Sequence, residues 1–144
     1  MQVKDVMETD VKTIASSSTV QQAAAAMAAN GTGYLMVVRD GAQLAGIITE
    51  ADIVSRVVSK ALDVKTTKVD QVMTKAVVMI DPDRDLTEAM EIMEEKNIKK
   101  LPVLKSNQLI GILTVSNLCA AQPKLAERVG KLLAIPGQKK IIAG

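Results

Sequence analysis

The chain has 144 residues, 48% of them hydrophobic, which suits one domain or a pair of small fused units with a real core. One Tyr, no Phe and no Trp leave no aromatic platforms for stacking bases, and a net charge of +2 from mixed charges gives no basic footprint for DNA or RNA. No His and a single Cys, Cys119, exclude a Ser-His-Asp triad, a zinc site built by the protein and an internal disulfide.

The opening residues, MQVKDVMETD, lack the apolar core of a signal peptide, and no apolar run approaches the ~20 residues of a membrane span. The reading is of a soluble, cytoplasmic protein. Val3, Val6 and Met7 in this opening segment are also the first residues of an internal repeat. Shifted by 66, residues 3–38 lie on 69–104, and Val11, Ile14, Ala23, Met27, Leu35 and Val37 each meet their own kind. One residue dropped near Gly41 then matches Leu44, Gly46, Ile47 and Thr49 to Leu109, Gly111, Ile112 and Thr114.

The elements run in the same order in each copy. First comes a short apolar strand, VKTI (11–14) or VVMI (77–80). A helix follows, opened by a capping box at Thr19 and Gln22, or at Asp85 and Glu88. Its apolar stripe is Val20, Ala23, Ala24, Met27 or Leu86, Ala89, Met90, Met93, and Gly31 or Asn97 stops it. Next is a buried strand, YLMVV (34–38) or LPVL (101–104), a turn at RDGAQ or KSNQ, and a third strand, LAGIIT or LIGILT. A second helix closes each unit: EADIVSRVVSKAL in copy one, and VSNLCAAQ, running on past Pro123, in copy two.

The fold class is therefore α/β (α+β), two β-α-β-β-α repeats packed sheet to sheet with pseudo-twofold symmetry. Residues 1–66 form the first repeat with its linker and 67–122 the second. Residues 123–144 form a C-terminal appendage, in which LAERVGKLLAI reads as a short amphipathic helix and PGQKKIIAG as a loose tail. The tail GKLLAIPGQKKIIAG has four basic residues counting Arg128, too few for a nucleic-acid footprint.

The repeated order of DVM, then N-I-KKLPV, then G-I-LT closing each unit resembles a tandem CBS-domain pair, a Bateman module, over residues 1–122. The resemblance implies a ligand-sensing module and not an enzyme. It also implies two related clefts between the copies that bind adenosine-containing ligands: AMP, ADP, ATP or S-adenosylmethionine-type nucleosides. Family members often dimerise through their helices, so a homodimer and a separate effector protein are the implied partners. The runner-up reading is a dimeric scaffold with vestigial clefts. No cofactor and no metal are implied.

Gly46-Ile47-Ile48-Thr49-Glu50-Ala51-Asp52 matches the family's G-h-h-T-x-x-D motif, where h is apolar. Free N–H groups at a helix start and the Thr49 hydroxyl suit a phosphate, and Asp52 suits ribose hydroxyls. The same residues also read as a plain N-cap. Arg56 reaches this cleft or is a surface charge. By the resemblance, Ile47, Thr49, Asp52 and Arg56 are completed by Val77 and Val78 as a wall for adenine, and by Lys99 and Lys100 near phosphates. The alternative for the lysines is surface solubility. The second cleft would hold Ile112, Thr114 and Asn117 with Val11, Lys12, Gly33 and Tyr34. Asn117 carries no charge and offers one acceptor oxygen, and no lysine pair faces it. The sequence therefore ranks the Asp52 cleft first.

Overall fold

In the computed structural model, which describes residues 1–75 and 77–133, the chain folds as two compact bodies. One holds Val11–Val77 with Ser106–Leu109; the other holds Met1–Asp10, Val78–Lys105 and the residues from Ile110. The class is mixed α+β, as the repeat pattern requires.

The first body contains β1 (Thr13–Ala15), α1 (Val20–Asn30), β2 (Tyr34–Arg39), β3 (Gln43–Thr49), α2 (Glu50–Arg56) and α3 (Val69–Val72). β1 lies parallel to β2, with Ile14 opposite Val37, and β2 pairs antiparallel with β3. Asp40 and Gly41, both at positive φ, turn the hairpin. Thr19 and Gln22 form the expected reciprocal capping box, and Gly31 ends α1 in the left-handed region. Val20, Ala23 and Met27 are buried against Leu35, Val37 and Ile48, whereas Ala24 is exposed.

The second body contains α4 (Leu86–Lys96), β4 (Lys100–Lys105), β5 (Gln108–Thr114) from Ile110 onward, α5 (Val115–Ala121) and α6 (Ala126–Leu133). β4 and β5 are hydrogen-bonded neighbours joined by Ser106 and Asn107, both at positive φ. Asn97 ends α4 in the left-handed region, as expected.

Each body takes in the opening segment of the other repeat. In the second body Leu86 N–H donates to the Met1 carbonyl (3.0 Å) and Val3 N–H to the Arg84 carbonyl (2.9 Å). In the first body Val20 N–H donates to the Thr67 carbonyl (2.9 Å) and Val69 N–H to the Ser18 carbonyl (2.8 Å). These bonds satisfy the first free amide of each long helix. Further along, Ile47 and Thr74 exchange two backbone bonds (3.0 and 2.8 Å), as do Glu8 and Ile112 (2.9 Å each). The matched glycines make room for this. A Cβ on Gly46 would lie 2.5 Å from the Thr74 carbonyl oxygen and 2.9 Å from Met73 Sδ. One on Gly111 would lie 2.7 Å from Met7 Sδ and 2.9 Å from the Glu8 carbonyl oxygen.

Three expectations are corrected. The strand VVMI is reduced to a single parallel bridge between Ile80 and Val103. In copy one, Met36 N–H donates to the Lys12 carbonyl and Ser16 N–H to the Val38 carbonyl. The corresponding residues of copy two are Pro102 and Pro82, which have no N–H to donate, so two ladder bonds are lost. The helix expected over EADIVSRVVSKAL ends at Arg56, and Val58–Lys60 form a separate 3-10 turn. Val57 turns fully into the core there, and the β-branched Val57–Val58 pair is a poor continuation of a helix. Finally, Asp85 caps α4 through the Thr87 N–H (2.9 Å), but Glu88 does not complete a box: it pairs with Arg84 at 3.2 Å.

The appendage contains α6, held to α4 by the Arg128–Glu94 ion pair, with Val129 and Leu132 in the core beside Met90, Met93 and Leu118. The tail PGQKKIIAG, also read as loose, lies outside the described residues. In the first body the positions matching Met90, Glu94 and Cys119 are Ala24, Ala28 and Val54, and all three are exposed.

Two outcomes follow. Gly46→Ala and Gly111→Ala should each lower stability by about 1–3 kcal/mol in urea unfolding, because the backbone oxygens they would meet cannot swing away. Asp83 accepts from both Lys4 and Lys105 at 3.0 Å, and these two bonds hold its carboxyl below the ordinary 3.8. Its contribution is thus complete above pH 3.8 and lost as pH falls through the lowered value. Asp83→Asn should flatten that acid limb in a pH series of melting curves.

Candidate functional site

The two junctions where a third strand enters a short helix hold most of the residues singled out by sequence. At the first, Thr49 N–H donates to Asp52 Oδ2 (3.0 Å) and Asp52 N–H donates to Thr49 Oγ1 (3.1 Å). This is a reciprocal capping box, so the plain N-cap reading of these two residues is realised in the structure. The first amide of α2, Glu50 N–H, donates to the Gly33 carbonyl (2.9 Å). Two of the helix-start amides are thus occupied by the protein.

Asp52 is 8% exposed and is the buried charged residue among the described residues. Its second oxygen is held more loosely. Oδ1 receives the Thr74 hydroxyl at 3.5 Å and lies 3.7 Å from the Arg56 guanidinium. Arg56 itself donates to the Val72 and Met73 carbonyls (2.9 and 3.1 Å), closing the C-terminal end of α3. It is therefore a structural clamp as well as a counter-charge.

At the second junction Thr114 N–H and its hydroxyl both donate to Asn117 Oδ1 (2.8 and 2.9 Å), and Asn117 N–H donates back to Thr114 Oγ1 (3.2 Å). Val115 N–H donates to the Lys99 carbonyl (3.1 Å), the counterpart of the Gly33 bond. Asn117 Nδ2 donates to Glu8 Oε1 at 3.1 Å.

The structure groups the remaining candidates by body. Ile47, Thr49, Asp52 and Arg56 come together in the first, which also holds Val11, Lys12, Gly33, Tyr34 and Val77. Val78, Lys99, Lys100, Ile112, Thr114 and Asn117 belong to the second. Ile47 and Ile112 serve through their main chains, Ile112 being fully covered. Lys99 and Lys100 are half-buried; burial pushes both ammonium groups below their ordinary range, and Lys99 adds repulsion at Lys100.

Two residues were missed. Thr74 and Glu8 occupy the same position of the repeat, 66 apart, and stand opposite Asp52 and Asn117. The signal was available: where the facing residue changes from acid to amide, its partner changes from hydroxyl to acid. A further feature of the first body is a groove of about 490 Å³ lined by Ala24, Met27, Ala28, Gly31, Thr32, Gly33, Glu50, Ile53 and Val54.

Paired strand–helix junctions in a tandem repeat define the class, that of CBS-domain pairs, the regulatory modules which the sequence resembles. The CBS domain model matches residues 3–59 and again 69–124, and the chain belongs to this family. It is 34% identical over 120 residues to the CBS domain-containing protein YhcV of Bacillus subtilis, covering 83% of this chain and 84% of that one. It is 38% identical to the homoserine O-acetyltransferase of Methanosalsum zhilinae but spans only 22% of that longer protein. Among solved structures, it resembles Hypoxic Response Protein I with two coordinated zinc ions (TM-score 0.77, 25% identity, 85% of this chain and all of that one). It also resembles a hexameric CBS-CP12 protein from bloom-forming cyanobacteria (TM-score 0.70, 29% identity, 88% and 74% covered). With no His and one Cys, this chain cannot by itself build a zinc site from those residue types. No described helix is long and apolar enough to cross a membrane.

Thr49→Ala and Thr114→Ala each remove a cap, and each should cost about 1 kcal/mol. Thermal unfolding of the two variants checks this, and Ser at either position should restore most of the loss.

Proposed function

We propose that the protein is a regulatory module whose Asp52 corner binds an adenine nucleotide, AMP, ADP or ATP. The observation that carries this reading is the state of Asp52. It is a buried acid with one oxygen fixed by the helix cap and the other in long contacts of 3.5 and 3.7 Å. A ribose diol offers that loosely held oxygen two hydroxyl donors in place of one distant one. Family membership supports an adenosine ligand. The resemblance adds Ile47, Thr49 and Arg56, with Val77 and Val78 as an apolar wall for the base and Lys99 and Lys100 as phosphate partners. Two neighbouring ammonium groups at 99 and 100 suit a phosphate anion better than the sulfonium cation of S-adenosylmethionine. Ligand would act on a separate effector protein only through its different affinity for two states of the module.

The groove of the first body favours one further element, self-association. Val54, at its rim, continues into Val58 and Leu62, which are 62%, 61% and 44% exposed. An apolar ridge beside an apolar groove is self-complementary about a twofold axis. A homodimer through this face fits those exposures, and one structural relative is described as hexameric.

Calorimetry with AMP, ADP and ATP tests the first proposal, with S-adenosylmethionine as the competing arm. Asp52→Ala should weaken nucleotide binding at least about tenfold, the scale of losing one charged hydrogen-bond acceptor. Tight binding unchanged in that variant would sink the assignment. For the second, light scattering should report a dimer that Val54→Asp converts to monomer; a monomeric parent protein overturns it.

A further inference from the structure

The contact between Glu8 and Asn117 recurs in the first body with its polarity reversed. Thr114 directs its N–H and its hydroxyl at Asn117 Oδ1 (2.8 and 2.9 Å), so the amide orientation is fixed and Nδ2 faces Glu8 Oε1 at 3.1 Å. At the matching positions of the first body, the Thr74 hydroxyl is the donor and Asp52 Oδ1 the acceptor, at 3.5 Å. Donor and acceptor have changed sides. Glu8 is also delivered by its own backbone, which exchanges two 2.9 Å bonds with Ile112, so the carboxylate does not sit on a loose end.

The charges of the two corners differ accordingly. Asp52 has the Arg56 guanidinium at 3.7 Å. The residue matching Arg56 in the second repeat is Ala121, so Glu8 stands without that counter-charge. Asn117 has its oxygen committed to Thr114 and its amide committed to Glu8, which leaves a ribose nothing to displace without breaking an internal bond. A phosphate approaching this corner meets a carboxylate of like charge.

The geometry points to Glu8 as the residue that closes the Thr114–Asn117 corner to anionic nucleotides, and to the reversed pair Glu8 and Asn117 as the specificity determinant that leaves one nucleotide site per chain. The inference rests on the reading of the Asp52 corner as that site. Restoring the first body's pair, Glu8→Thr with Asn117→Asp, should open a second site of the same class. Both changes are on half-exposed or exposed positions, so the fold is retained.

The test is calorimetric stoichiometry with AMP on the full chain. The parent should take up one AMP and E8T/N117D two. Adding D52N to E8T/N117D should bring the count back to one. No gain in E8T/N117D over the parent overturns the inference, as does a parent that already binds two AMP with similar affinity. An unchanged AMP isotherm in D52N alone overturns the reading of the Asp52 corner instead, so the two failures are told apart. A second readout needs no nucleotide. N117D alone places two carboxylates face to face and should lower the melting temperature, and E8T added to it should recover the loss. Equal melting temperatures for N117D and E8T/N117D would also count against the reversed pair.

Discussion

Two backbone contacts at glycine govern the arrangement of this chain. Gly46 and Gly111 lie where an opening segment crosses the third strand, and in each case the crossing residue presses its carbonyl oxygen and a methionine sulfur into the space a side chain would fill. The close approach permits the double backbone exchange between Ile47 and Thr74 and between Ile112 and Glu8. That exchange in turn sets which side chain stands opposite Asp52 and which opposite Asn117. A methionine is well suited to this place, since its unbranched thioether fills an irregular gap in a core that has no aromatic ring to do so.

From that geometry the two strand–helix junctions inherit one frame and two chemistries. Both use a threonine cap with a reciprocal bond from the third helical residue. In the first, the capping residue carries a charge, is largely buried, and keeps one oxygen in long contacts. In the second, the capping residue is neutral, its oxygen accepts twice and its amide nitrogen donates once, all at 3.1 Å or less. A buried acid near a cation, with spare acceptor capacity, is a place where a hydroxyl-bearing ligand gains more than water offers. A neutral amide whose oxygen is filled, beside an exposed carboxylate, is not.

Much of the architecture was legible because the repeat doubles every local signal. Thr19 with Gln22, Gly31, Asn97 and the two hairpin turns read directly, since caps and positive-φ positions are decided by a few neighbouring residues. The first strand of copy two was misread for a reason that pattern alone hides. VVMI has the composition of a strand, but its ladder needs donors at positions 82 and 102, and both are proline. The length of α2 was misread because Val57 is drawn into the core by tertiary packing. At the site, Asp52 and Thr49 were found from their motif. Thr74 and Glu8 were not, because their relevance depends on long-range pairing across 22 and 109 residues, which no local window contains.

The membership of Met1–Asp10 in the second body has a consequence for the order of events during synthesis. Those residues are synthesised well before their partners, Pro82 through Ile112. The crossing of the first body can close as soon as Thr74 is available, a short loop by comparison. The opening segment must stay unpaired through that step, or it would occupy the crossing meant for Met73 and Thr74, whose sequence it repeats. Polar residues flank Met7 on its far side, Glu8 and Asp10 among them, where Lys75 follows Thr74. The two like segments thus end in opposite charge, acidic after Met7 and basic after Thr74, a difference that sets them apart for their two crossings.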